Sequence, residues 1–189
     1  MGRWEPNAQG RLQQAAMDLF IERGFEQTTV TEIAERAGLT QRTFFRYFAD
    51  KREVLFGGAA VLQERMVGAL AGAPDAATPI EAVAAALQAA GVALQENGGP
   101  RAGQRQAVID ANAELREREL IKLASLALAL AGALRGRGVP EPAASLAAEA
   151  GIAVFRIAFQ TWVADSGQRD FPQVIQESLA ELKAVTAGR

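Results

Sequence analysis

Gln41, Arg42, Thr43 and Arg46 are the side chains of this chain whose types and spacing best suit them to act on a partner. A guanidinium can pair with O6 and N7 of guanine, and a glutamine amide can pair with adenine. The four fall on one short stretch bounded by turn signals. Gly38 supplies a tight turn after Ala37, and Thr40 can cap a helix that begins at Gln41. Between residues 38 and 52 the cations Arg42, Arg46, Lys51 and Arg52 face one acid, Asp50, in a chain whose formal net charge is −2. The positive charge is therefore local, the kind that contacts phosphates, and not the general basicity of a nucleic-acid coat. Two short helices around a glycine turn match a helix-turn-helix that sets its second helix in a DNA major groove. The competing reading of these residues is a solvated polar face.

Such a helix needs a scaffold, and the rest of the chain supplies helical signals throughout. Strand-like alternation never lasts, while Ala, Leu, Glu, Gln and Arg dominate. A first helix is expected over Ala8–Arg23, with Leu12, Ala15, Ala16, Leu19 and Phe20 at helical spacing and Gly24 as a left-handed C-terminal cap. A second starts at Thr29 or Thr31, where Thr29 and Glu32 fit a capping box. Phe20, Phe25, Ile33, Leu39, Phe44 and Phe48 then form a mini-core, because a small domain needs every large apolar group it has. Asp50 and Glu53 open a fourth helix that runs from about residue 51 to Leu70. Residues 71–78, with Gly72, Pro74 and Asp75, read as a linker, and Thr78-Pro79-Ile80-Glu81 restarts a helix.

That fifth helix is expected to end near Glu96, broken by Asn97-Gly98-Gly99-Pro100. Residues 102–136 are helical with an interruption near Asn112, and a loop covers 136–140. An apolar helix follows over 142–164, then a turn at 166–170 and a last helix over 172–187. The expectation is all-α, about nine helices, with a helix-turn-helix head at 1–56 and a larger ligand-binding and dimerisation domain at 57–189. With no Cys and no His, disulfides, thiolate metal sites and Cys- or His-based catalysis are excluded. Met1–Pro6 has no apolar core of signal-peptide length, and no uncharged run approaches roughly 18 residues of spanning hydrophobicity. A cytoplasmic protein that binds no membrane and carries no cofactor or metal is expected.

The first 56 residues resemble the N-terminal domain of TetR-family transcriptional regulators. The likeness rests on Ala15-Ala16-Met17-Asp18-Leu19-Phe20, Gly24-Phe25, Thr28-Thr29-Val30-Thr31-Glu32-Ile33-Ala34, Ala37-Gly38-Leu39-Thr40, Thr43-Phe44-Phe45-Arg46-Tyr47-Phe48 and Lys51, in uninterrupted register. The resemblance implies an all-α homodimer that binds an operator in double-stranded DNA and answers to a small molecule. It implies base-edge roles for Gln41, Arg42, Thr43 and Arg46 and phosphate contacts at Tyr47 and Lys51. Thr31 can contact DNA or serve only as part of a helix start. Phe45 stands where the family usually has Tyr, and a ring without a hydroxyl can meet only a thymine methyl or a sugar. Arg3 and Trp4 read either as a basic arm for a minor groove or as a frayed end. The stretch 105–187 is somewhat similar to the C-terminal half of mycofactocin-type regulators, which would make an acyl-type effector one candidate.

In the larger domain Phe155, Phe159 and Trp162 share one helix face, which suits a core, a dimer interface or a pocket wall. Met66 and Leu70 on the fourth helix join them as pocket candidates. Ala147, Ala150, Gly151 and Ala158 would let two helices approach closely, and Ile175, Leu179 and Leu182 form an apolar stripe; both suit a twofold dimer, and the stripe could equally seal the intramolecular core. Two rivals remain: a helical-bundle enzyme, which lacks the Glu-x-x-His pairs of a di-iron site, and an adaptor whose head binds protein instead of DNA.

Overall fold

The computed structural model describes residues 7–165 and 168–188, with backbone only over 97–100. Arg3 and Trp4, and the first part of the expected turn at 166–170, lie outside the described residues. The described chain holds only helices and their connections: α1 (Ala8–Arg23), α2 (Val30–Arg36), α3 (Gln41–Tyr47), a 3-10 turn (Arg52–Phe56), α4 (Ala59–Ala71), α5 (Pro79–Asp110), α6 (Ala113–Gly136), α7 (Ala143–Ala164) and α8 (Phe171–Thr186).

The local signals hold at most ends. The Thr29 hydroxyl accepts from the Glu32 backbone N–H at 3.2 Å, and the Glu32 carboxylate accepts from the Thr29 N–H at 2.8 Å, a complete capping box. Thr78 and Glu81 repeat the second half of that device, and Asp170 caps α8 by accepting from the Gln173 N–H. Gly24 has the positive φ expected of it, 87°, but with ψ 158°, a conformation open essentially only to glycine and distinct from a left-handed cap. Gly38 sits at φ 66° and makes the tight turn into α3.

Two expected boundaries are wrong. The fourth helix does not start near residue 51. Asp50 caps only a short 3-10 turn, and Gly57-Gly58 separates that turn from α4. A Cβ on Gly57 would lie 2.7 Å from the Phe48 ring and 2.8 Å from the Gln13 amide, so close packing of the turn against α1 demands glycine. Nor do residues 97–100 break the fifth helix, since α5 runs unbroken from Pro79 to Asp110. Context has overridden weak local propensity there. The interruption expected near Asn112 is present, between α5 and α6.

The described residues form two compact units. One joins those up to Gly58 with Gln104–Glu119; the other holds Ala59–Gly103 and Leu120 onward. The head is thus discontinuous, in place of the simple division at residue 56. Its core takes Leu12, Leu19, Phe20, Ile33, Phe44 and Phe56 from the N-terminal segment, and Ile109 and Leu115 from the α5–α6 corner, the last two with no exposed surface. The larger unit is built on α4, α5, α6, α7 and α8 around Leu70, Leu87, Leu130, Trp162, Phe171 and Ile175. By length and composition alone, Arg52–Ala71 and Ala143–Ala164 are long and apolar enough to cross a membrane, although neither is an uncharged run. The second carries Glu149 and Arg156 and buries Ile152, Phe155, Ala158 and Trp162 in the core of its own unit.

Candidate nucleic-acid interface

The helix that carries the candidate contacts is only seven residues long, too short to persist by itself. It holds because both ends and its underside are tied. The Thr40 hydroxyl accepts from the Thr43 N–H at 3.2 Å, and the two threonine hydroxyls lie 3.0 Å apart. Phe44 is fully buried, with Phe48 at a ring separation of 5.4 Å. The preceding turn is pinned from α1, where the Arg11 guanidinium donates to the Ala37 carbonyl. That bond passes close over Gly38, where any Cβ would collide with it.

Gln41, Arg42, Phe45 and Arg46 are exposed on this anchored helix, and Thr43 and Tyr47 are half-exposed. Arg42 has no ion-pair partner among the described residues. Arg46 lies 5.0 Å over the Tyr47 ring and its guanidinium reaches the Tyr47 hydroxyl at 3.4 Å, which keeps the phenol's own proton available to an acceptor outside. Phe45 is 52% exposed and stands edge-on to Phe44 at 5.5 Å. An exposed aromatic ring is costly in water and suited to an apolar contact such as a thymine methyl. Thr31 is exposed in the first turn of α2.

Other head cations are committed elsewhere. Arg23 pairs with Glu32 at 3.0 Å and Arg36 with Glu22 at 2.8 Å. Hydrogen bonding to Arg36 holds the Glu22 carboxyl below the usual carboxylate range. Arg52 pairs with Asp50 at 2.8 Å, and Arg118 of α6 reaches both Asp50 and Glu53 at 3.2 Å. Burial alone would raise the Asp50 carboxyl, but Arg52 and the backbone N–H groups of Glu53 and Arg52 outweigh it and hold it low. Arg105 completes the corner by donating from Nε to the Leu55 carbonyl at 2.8 Å and lying 5.0 Å from the Phe56 ring. Lys51 lies against the loop that follows α1. Its ammonium donates to the carbonyls of Phe25 at 2.7 Å and Thr28 at 2.9 Å.

Several other candidates are also placed differently. Met66, Leu70, Phe155 and Trp162 are buried in the core of the larger unit, and Phe159 is packed against it. Trp162 stacks on Phe171 at 4.6 Å and donates its indole N–H to the Arg169 carbonyl at 2.9 Å. Phe171, which sequence patterning did not single out, is the hub of this cluster and also meets Phe155 and Phe159. Of the dimer candidates, Gly151, Ala158, Ile175 and Leu179 are buried within the protomer and unavailable to a partner. A Cβ on Gly151 would run into Val83 Cγ1, and Ile175 Cδ1 occupies the space a Cβ on Gly91 would need. Ala147, Ala150 and Leu182 are half-exposed. The apolar stripe that does face outward on α7 is Leu146, 67% exposed, then Ala150, Ala153 and Ile157, 53% exposed. Arg156 is exposed and has no ion pair among the described residues.

Residues 12–56 match the family described as "Bacterial regulatory proteins, tetR family". The chain is 39% identical over 74 residues to the HTH-type transcriptional regulator TcmR of Streptomyces glaucescens, across 39% of this chain and 33% of that protein. It is 31% identical over 70 residues to the putative mycofactocin biosynthesis transcriptional regulator MftR of Mycobacterium tuberculosis, across 37% of this chain and 35% of that protein. Each match thus spans about a third of the relative's own length. The fold is similar to that of SmeT of Stenotrophomonas maltophilia in complex with triclosan, with a TM-score of 0.65 and 20% identity, over 94% of this chain and 90% of that one.

Proposed function

We propose that the chain, whose residues 12–56 match the tetR family of bacterial regulatory proteins, is a DNA-binding transcriptional regulator acting in the bacterial cytoplasm. It works as a homodimeric repressor, released from a palindromic operator by a small, largely apolar ligand. One observation carries the DNA-binding reading: α3 is capped and anchored by Phe44, yet turns Gln41, Arg42, Phe45 and Arg46 outward, with no ion-pair partner for Arg42 among the described residues. Two heads reading successive major grooves stand about 34 Å apart, so a ligand that favours a different head separation loses the contacts of one side together. Such a ligand must prefer the non-binding state, because equal affinity for both shifts nothing. The fold shared with SmeT, whose name gives it as the repressor of a multidrug efflux pump, supports repression, and its triclosan complex supports a small apolar effector. Phe159, packed against the larger core but not fully buried, is the aromatic through which a ligand reaches that core.

The test is an operator selected from randomised duplexes, with affinity followed against salt. Arg42→Ala is expected to weaken operator binding by about 1–3 kcal/mol, the worth of a bidentate base contact, while mixed-sequence binding changes much less. Equal losses on both duplexes remove the base-reading role of Arg42. An affinity with no salt dependence at all favours the adaptor reading, since phosphate contacts release counterions.

The dimer is assigned to the outer stripe of α7 with Leu182 of α8. Leu146→Glu combined with Ile157→Glu leaves the protomer core intact, because both side chains face solvent. Light scattering is expected to find a monomer that has lost operator binding. A dimer that survives both changes places the interface elsewhere.

A further inference from the structure

We propose that α7 meets α7 of a second copy of this chain antiparallel across a twofold axis, and that Glu149 of each copy pairs with Arg156 of the other. The inference rests on the homodimer reading above. The outward residues Leu146, Ala150, Ala153 and Ile157 follow one another at spacings of four, three and four, the seam spacing of two helices packed along their length. A large side chain stands at each end of this seam and two small ones lie between them, so it reads alike from either end. With the axis between Ala150 and Ala153, Leu146 of one copy meets Ile157 of the other, and the alanines let the two backbones approach at the centre.

The charges share that symmetry. Glu149 and Arg156 are seven residues apart, which puts both on one flank of the seam, and both are exposed. They stand about 10.5 Å apart along the helix axis, too far to pair with each other. Neither has an ion-pair partner among the described residues. Their midpoint lies within one residue of the midpoint of the seam. Antiparallel pairing therefore brings each carboxylate opposite the guanidinium of the other copy, twice in the dimer. Parallel pairing would set Glu149 against Glu149 and Arg156 against Arg156. The opposite flank offers no such pair, since Val154 there is buried in its own protomer. Exposed ion pairs add little affinity, whereas like charges set opposite each other cost far more, so the two pairs act chiefly on orientation and register.

The test uses two full-length chains, Glu149→Arg and Arg156→Glu, each altered at one exposed position. At low salt, sedimentation is expected to show that each alone dimerises about tenfold or more weakly than the wild type, because two like-charge contacts replace the two pairs. An equimolar mixture of the two is expected to recover wild-type dimerisation, since a mixed dimer restores both pairs. A chain carrying both reversals is expected to recover it as well, and the losses of the single variants should shrink at high salt. Single variants that dimerise as the wild type does overturn the proposal and leave the dimer standing. So do weakened variants that neither mixing nor the double reversal rescues. A wild-type chain that stays monomeric overturns both the pairing and the homodimer reading.

Discussion

Truncating Ile109 and Leu115 to alanine is expected to abolish duplex binding in a chain whose recognition helix is untouched. Both side chains are fully buried in the head core, although they come from the α5–α6 corner. Removing a buried Ile or Leu to Ala costs about 2–5 kcal/mol through lost transfer energy and the cavity left behind. The two share one core, so their costs couple and do not simply add. Even so, the sum rivals the whole stability of about 5–15 kcal/mol typical of a domain. The ion pairs of Arg118 with Asp50 and Glu53 at that corner do not compensate, since partly exposed ion pairs are worth about 0–1 kcal/mol each. Hydrogen exchange of the α3 amides and a gel shift are the measurements. Leu128→Ala on the same helix, at an exposed position, is the control and should change neither. If the double variant keeps full α3 protection, the corner is not part of the head's core.

Trp162→Ala carries the second large effect, a loss of about 3–5 kcal/mol as for other buried aromatics cut to alanine. The indole is fully buried, stacks on Phe171 at 4.6 Å and spends its N–H on the Arg169 carbonyl. The truncation leaves a cavity, unstacks Phe171 and orphans that carbonyl together. For a chain of this size the melting temperature should fall by about 10 °C. The result separates two roles that sequence patterning leaves open. A core residue loses stability when cut, whereas a residue that merely walls an open cavity loses ligand affinity with little change in melting. A shift within about 1 °C would return Trp162 to the pocket.

Most of the interface helix was legible because its signals are short-range. Thr29 with Glu32, Thr40 with Thr43 and Gly38 at positive φ act over three residues or fewer, and their chemistry is written in the residue types. The outward set of Gln41, Arg42, Phe45 and Arg46 follows from the burial of Phe44 and Phe48 on the opposite side. The placement of Lys51 was not legible, because a cation beside a helix start looks the same whether it reaches outward or inward. Only the loop carbonyls folded around it distinguish the two. The side to which the small-residue and apolar stripes turn was open for a related reason. Gly151 and Ile175 do permit close approach, but of α5 within the same protomer, as their contacts with Val83 and Gly91 reveal.

From its sequence alone this protein was determined to be all-α, to carry a capped helix-turn-helix, and to present guanidinium and amide groups on its second helix. Those properties depend on periodicity, caps and turn residues, which act along the chain within a turn or two. Tertiary structure alone decided that the α5–α6 corner completes the head, that the Lys51 ammonium lies against loop carbonyls, and which side of α7 is exposed. Each of these is a choice among apolar or charged faces that are alike in composition, and it is made by contacts between segments far apart in sequence, which no local pattern encodes.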